Sequence, residues 1–79
     1  MMQIPVPAHV HYEIALRLLE RQTVVAVLQA DYAGLEDLQE LIRTLRKALA
    51  QQKLLEERWE RQGRQVDYRW SYDEQPSAP

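Results

Sequence analysis

His9, His11 and Glu13 stand at alternate positions in the run His9-Val10-His11-Tyr12-Glu13. Imidazole and carboxylate side chains hold zinc-like ions and move protons near neutral pH, so this run is the first place to look for chemistry. Its spacing argues the other way. Alternate residues share a face only on an extended backbone and diverge on a helix. No second ligand cluster elsewhere in the sequence completes a site, so no metal and no cofactor is expected, and the histidines read as helix-start residues meeting solvent or the C-terminal tail. Catalysis would further require a nucleophile or orienting acid in a concave pocket, and two helices of this size enclose little concavity. No enzyme activity is expected.

A second set is basic. Arg43, Arg46, Lys47 and Lys53 form a stripe that would suit phosphate groups. Against it, twelve acidic and ten basic residues give a net charge of -2, the wrong sign for counterion-driven nucleic-acid binding. Glu40 also stands at helical spacing from Arg43, as in an ordinary solvated face. A small regulator of nucleic acid or its machinery, working through this stripe, is the alternative reading.

The third set is aromatic. Trp59, Tyr68, Trp70 and Tyr72 are four of the six aromatic side chains, with Arg58, Arg61 and Arg69 beside them. Tryptophan, tyrosine and arginine dominate interface hot spots, but the same rings would also cap a small helical core. Both readings stay open from the sequence.

These residues need elements to position them. Seventy-nine residues, 46% hydrophobic and 28% charged, suffice for one small domain and exclude a disordered composition. The absence of cysteine removes disulfides and thiol chemistry and suits a reducing compartment. Residues 1–7 are an extended lead-in, because Pro5 and Pro7 fix their own backbone and push their predecessors out of the helical region. From Ala8 to Ala30 neither proline nor glycine occurs. Ile14, Leu18, Val25, Leu28 and Tyr32 form one apolar row, and Tyr12, Leu16, Leu19, Thr23, Ala26 and Ala30 an adjacent one, which predicts a helix over about 8–31.

A turn near Gly34 follows, and acidic Glu36 and Asp37 suit the start of a second helix over about 35–62. Its rows are Leu35, Leu38, Ile42, Leu45, Leu49, Gln52 and Leu41, Leu45, Ala48, Gln52, Leu55, Trp59, Gln62, the spacings of a coiled-coil seam. Gln52 either meets Thr23 or solvent, or fixes the register of that seam. Gly63 is placed for a left-handed helix cap. Beyond it Val66, Tyr68, Trp70 and Tyr72 alternate with polar residues, the period of a half-buried strand. One strand is not stable alone, so this arm (64–73) lies across the helices, pairs with a copy, or joins a partner's sheet. Residues 74–79 read as a disordered tail.

The uncharged run Gln22 to Ala30 is too short to span a bilayer, which takes roughly 20 apolar residues. No lysine or arginine precedes Arg17, and prolines interrupt the N-terminal apolar stretch, so no export signal is expected. Acidic Glu13 and Glu20 among the basic residues argue against a peripheral membrane helix.

Taken in order, Ile4-Pro5-Val6-Pro7, His9-Val10-His11-Tyr12-Glu13, Leu45-Arg46-Lys47-Ala48-Leu49-Ala50-Gln51-Gln52-Lys53 and Val66-Asp67-Tyr68-Arg69-Trp70-Ser71 resemble a family of small cyanobacterial proteins of unknown function. The resemblance runs from about Ile4 to Ser71. It implies a cyanobacterial protein of the cytoplasm or thylakoid surface and carries no catalytic or ligand residue with it.

The sequence thus predicts an all-α antiparallel two-helix hairpin with an extended aromatic C-terminal arm. Its broad leucine faces exceed what two helices bury against each other. The expected function is a non-catalytic interaction or assembly protein, homodimeric or docked on a larger complex. Leu38, Leu41, Leu45, Leu49, Trp59, Tyr68, Trp70 and Tyr72 are the candidate contacts.

Overall fold

Pro5 and Pro7 hold the chain extended, and the computed structural model, which describes residues 3–72, forms that stretch into a strand, β1 (Gln3–Pro7). Helix α1 (His9–Leu18) follows, then a π-helical turn (Leu19–Thr23) and α2 (Val24–Ala30). A 3-10 turn (Tyr32–Gly34) reverses the chain into α3 (Leu35–Arg61), which returns to a second strand, β2 (Gln65–Arg69). The fold is mostly helical, two legs in contact, as the periodicity predicts. Asp73 of the expected arm and the expected tail 74–79 lie outside the described residues.

Local chemistry explains where the legs end. Asp31 leaves the helical region at φ -153°, ψ 66°. Its carboxylate folds back over the turn so closely that a Cβ on Gly34 would stand 2.5 Å from Asp31 Oδ2. A side chain there would need the exposed Asp31 carboxylate to swing aside, while the φ of Gly34, -83°, is ordinary. Gly63 is the other case: with φ +79° it takes the left-handed cap that ends α3.

The π-helical turn changes which side chains meet α3. A π turn carries an extra residue and so rotates everything after it about the helix axis. Leu16 and Leu19 pack toward Leu38, Ile42 and Leu45, but beyond the turn Val24 and Val27 take the inward positions. The expected inward residues Ala26 and Ala30 are exposed. Ile14, Leu18, Val25 and Leu28, read from the sequence as one row of a wide apolar face, are 60%, 49%, 52% and 46% exposed.

The strands supply what local periodicity does not carry. β1 and β2 pair in parallel, with Ile4 beside Val66 and Val6 beside Tyr68, and the Ala8 amide extends the ladder by donating to Arg69 O at 3.0 Å. The arm's partner is therefore the N-terminal lead-in, which the sequence reading left unpaired.

The apolar core is small: Val6, Ala8, Leu16, Leu38 and Ile42 are the buried apolar residues among those described. The chain measures 51 × 25 × 14 Å, and its radius of gyration of 16.4 Å exceeds the roughly 12 Å of a compact chain this long. A helix with side chains is about 10–12 Å thick, so the hairpin is one layer deep. Among the described residues no helix is long and apolar enough to cross a membrane.

Candidate functional site

Among the described residues, a cluster of side-chain hydrogen bonds centres on Glu56. α3 carries Leu38, Ile42, Leu45, Leu49, Gln52 and Glu56 along one side, so the last two polar residues stand on the same inward line as the leucines. Gln52 and Glu56 are buried where the helix passes the sheet. A buried carboxylate is costly unless hydrogen bonds replace its water.

Three donors do so. His9 Nε2 lies 2.8 and 3.0 Å from the two Glu56 oxygens, the Tyr68 hydroxyl donates to Oε1 at 2.6 Å, and Gln52 Nε2 donates to Oε2 at 2.8 Å. Because the carboxylate only accepts, the His9 proton facing it sits on Nε2. Gln52 is itself shared: its amide donates to Pro7 O at 2.8 Å and its oxygen accepts from the Tyr12 hydroxyl at 2.7 Å. The sequence left Gln52 either meeting Thr23 or solvent or fixing the register of a seam; its partners are Tyr12, Pro7 and Glu56. One carboxylate and one amide thus join β1, α1, α3 and β2.

The charge balance follows from these contacts. Burial alone would push the Glu56 carboxyl up, but the hydrogen bonds from Tyr68, Gln52 and His9, with the His9 charge, outweigh it and hold the group below its usual range. The same bond to Glu56, then burial and the nearby carboxylates, pushes Tyr68 up to about 12. The donors of His9, Tyr68 and Gln52 face Glu56, and the arrangement ties β1, β2 and the start of α1 to the C-terminal part of α3.

The run from His9 to Glu13 lies on α1, and its members separate. His9 turns to Glu56 and packs edge-on to Tyr68, while His11 stands edge-on to Trp70 with ring centres 6.0 Å apart. Glu13 is exposed. Among the described residues no three metal-ligating side chains converge.

The basic stripe is partly engaged. Arg43 pairs with Glu40 at 2.8 Å, as its spacing suggests, and Arg46 pairs with Glu20 of the opposite leg. Lys47 and Lys53 are exposed.

The candidate contact residues divide into two groups. Leu38 belongs to the core, Leu45 packs against it, and Leu49 and Trp59 are half-buried. Leu41, Trp70 and the fully exposed Tyr72 remain on the surface, as do Leu54 and Leu55, which were not among the candidates, and Tyr68 is shared between surface and the Glu56 cluster. Sequence reasoning missed Leu54, Glu56 and the outward orientation of Ile14 and Leu18. The signal for Glu56 was present in the 4-3-4-3-4 row from Leu38, which ends on it.

Comparisons with known proteins agree with this picture in extent and add no activity. A family of unknown function (DUF5340) matches residues 1–71. An uncharacterised 9.3 kDa protein of Anabaena cylindrica, described as lying in the soluble hydrogenase 5′ region, is 51% identical over 75 residues, covering 90% of this chain and 85% of its own. No solved structure matches significantly. With its own sheet, hairpin and cross-linking residues all inside the matched span, the chain belongs to the DUF5340 family of unknown function.

Proposed function

We propose that this chain is a non-catalytic interaction protein that assembles with another protein surface through the outer apolar side of its helical hairpin, with the aromatic arm at one end. One observation carries the reading. Ile14, Leu18, Val25 and Leu28 on the first leg, and Leu41, Leu54 and Leu55 on α3, are each about half or more exposed in a hairpin one layer deep. A helix buries apolar side chains when it has something to bury them against, and clusters left in water mark a contact surface. The polar groups that could have formed a reactive centre are turned on each other around Glu56.

The basic-stripe alternative loses its support where Arg43 and Arg46 meet Glu40 and Glu20. The test is affinity capture from a cyanobacterial lysate with the full chain and with a Leu18→Glu, Val25→Glu double variant. Both positions are exposed, so helicity by circular dichroism stays unchanged. A protein retained in fixed proportion by the first and absent from the second supports the reading; identical retention by both contradicts it.

A further inference from the structure

The sheet has two edges, and they are not alike. The Ala8 amide bonds Arg69 O, so the backbone groups of Ala8, Val6 and Ile4 face β2, and those of Pro7, Pro5 and Gln3 face away. The outer edge of β1 therefore offers no N–H at Pro5 or Pro7, and the Pro7 carbonyl is already taken by Gln52. That edge is closed to a further strand. On β2 the same phase turns Gln65, Asp67 and Arg69 toward β1 and leaves the amides and carbonyls of Val66 and Tyr68 pointing outward. Among the described residues no third strand pairs with β2. Beside it lies an open groove of about 630 Å³, lined by Glu60, Gly63, Arg64, Gln65, Val66 and Tyr68.

We propose that the outer edge of β2 pairs antiparallel with β2 of a second copy of this chain, about a two-fold axis at Tyr68, to make a continuous four-stranded sheet. Two-strand sheets are marginal by themselves, and an identical edge is self-complementary under two-fold symmetry. Among axes at Asp67, Tyr68 and Arg69, the side chains select the register. With the axis at Tyr68, Asp67 stands opposite Arg69 of the second copy, and the reverse, while the outward groups of the two Tyr68 residues bond each other. Moving the axis to Asp67 sets two aspartates face to face, and moving it to Arg69 sets two arginines face to face. Like charges directly opposite destabilise a sheet, and opposite charges stabilise it. Within each chain Asp67 and Arg69 already form an ion pair at 2.9 Å, so pairing builds a four-member network of alternating charge.

This inference names one partner, a second copy, and uses a surface separate from the apolar face under Proposed function. The test is light-scattering mass on a size-exclusion column with the full chain, Asp67→Arg, Arg69→Asp and an equal mixture of those two variants. The wild type runs at twice the chain mass. Each single variant, which places like charges across the axis, shifts to the monomer at concentrations where the wild type is dimeric. The mixture regains the doubled mass, because both arginines of the first variant then face the aspartates of the second. Val66→Pro, which removes an outward N–H and leaves the backbone bonds to β1 in place, gives the monomer with unchanged helicity and keeps the test decisive should a charge variant fail to fold. A wild type that is monomeric at every concentration, or a dimer that survives both single variants and Val66→Pro, overturns the proposal. A dimer that survives those variants but is lost in Leu18→Glu, Val25→Glu removes the edge while leaving the apolar-face reading in place.

Discussion

The imidazole of His9 and the carboxylate of Glu56, 47 positions apart, meet at 2.8 Å, and Glu56 is almost fully buried there. The pair links the first turn of α1 to the far end of α3, and Tyr68 and Gln52 join from β2 and from one turn away. Replacing Glu56 by alanine leaves three donors facing an apolar gap. The expected loss is about 3 kcal/mol, a large share of what a chain this size holds, read as an earlier midpoint in urea unfolding. Glu56→Gln also destabilises, because its amide brings a donor to a point where donors already converge.

The same carboxylate sets the acid limit. Its folded-state pKa lies below the ordinary 4.5, so the folded chain binds that proton less tightly than the unfolded one. The stability it contributes is complete above about pH 4.5 and is lost as pH falls through the lowered value. Melting temperatures measured from pH 7 to pH 3 should drop at the acid end, with a shallower drop in Glu56→Gln.

Tyr68 sets the alkaline limit with the opposite sign. Its hydroxyl, raised from 10.0 to about 12, holds its proton more tightly in the folded chain. That contribution is present below pH 10 and disappears as pH rises toward 12. Circular-dichroism melts across this range should lose stability in the wild type, and Tyr68→Phe should lack this step.

Exposure separates the apolar side chains of α3. Ile42 is 8% exposed within the core and Leu54 is 64% exposed on the same helix. Ile42→Ala is expected to cost about 2–4 kcal/mol in chemical unfolding, and Leu54→Ala to stay within about 0.5 kcal/mol.

The two glycines part in the same manner. Gly63→Ala forces a Cβ into the left-handed region and costs about 1 kcal/mol, although nothing stands within 4 Å of that Cβ. Gly34→Ala meets the Asp31 carboxylate, and its cost should fall when Asp31 is changed to alanine as well. Unfolding midpoints of the single and double variants measure both effects.

The legs, their junction near Gly34 and the cap at Gly63 were legible in the sequence because each rests on residues within one or two turns of one another. The alternation at Val66, Tyr68 and Trp70 likewise declared an extended segment. Its pairing with Gln3–Pro7 was not legible: partners 62 positions apart leave no local period, and Pro5 and Pro7 read as a lead-in when their place is the blocked edge of a sheet. The π turn was hidden for a related reason. Leu19-Glu20-Arg21-Gln22-Thr23 has an unremarkable helical composition, and one extra residue in the turn moves Val24 and Val27 inward and Ala26 outward. Glu56 was overlooked because an acid on a helix normally belongs to the solvated side, even though it stands in the row of Leu38, Ile42 and Gln52.

The central claim is that the outer apolar side of the first leg is a contact surface. A photo-crosslinking side chain placed at Leu18 in the full-length protein, with the same group at exposed Glu57 as a control, tests it inside a cyanobacterial cell. The account predicts one adduct of discrete mass from position 18 and none from position 57. Absence of an adduct at 18, or the same adducts from both positions, would contradict it.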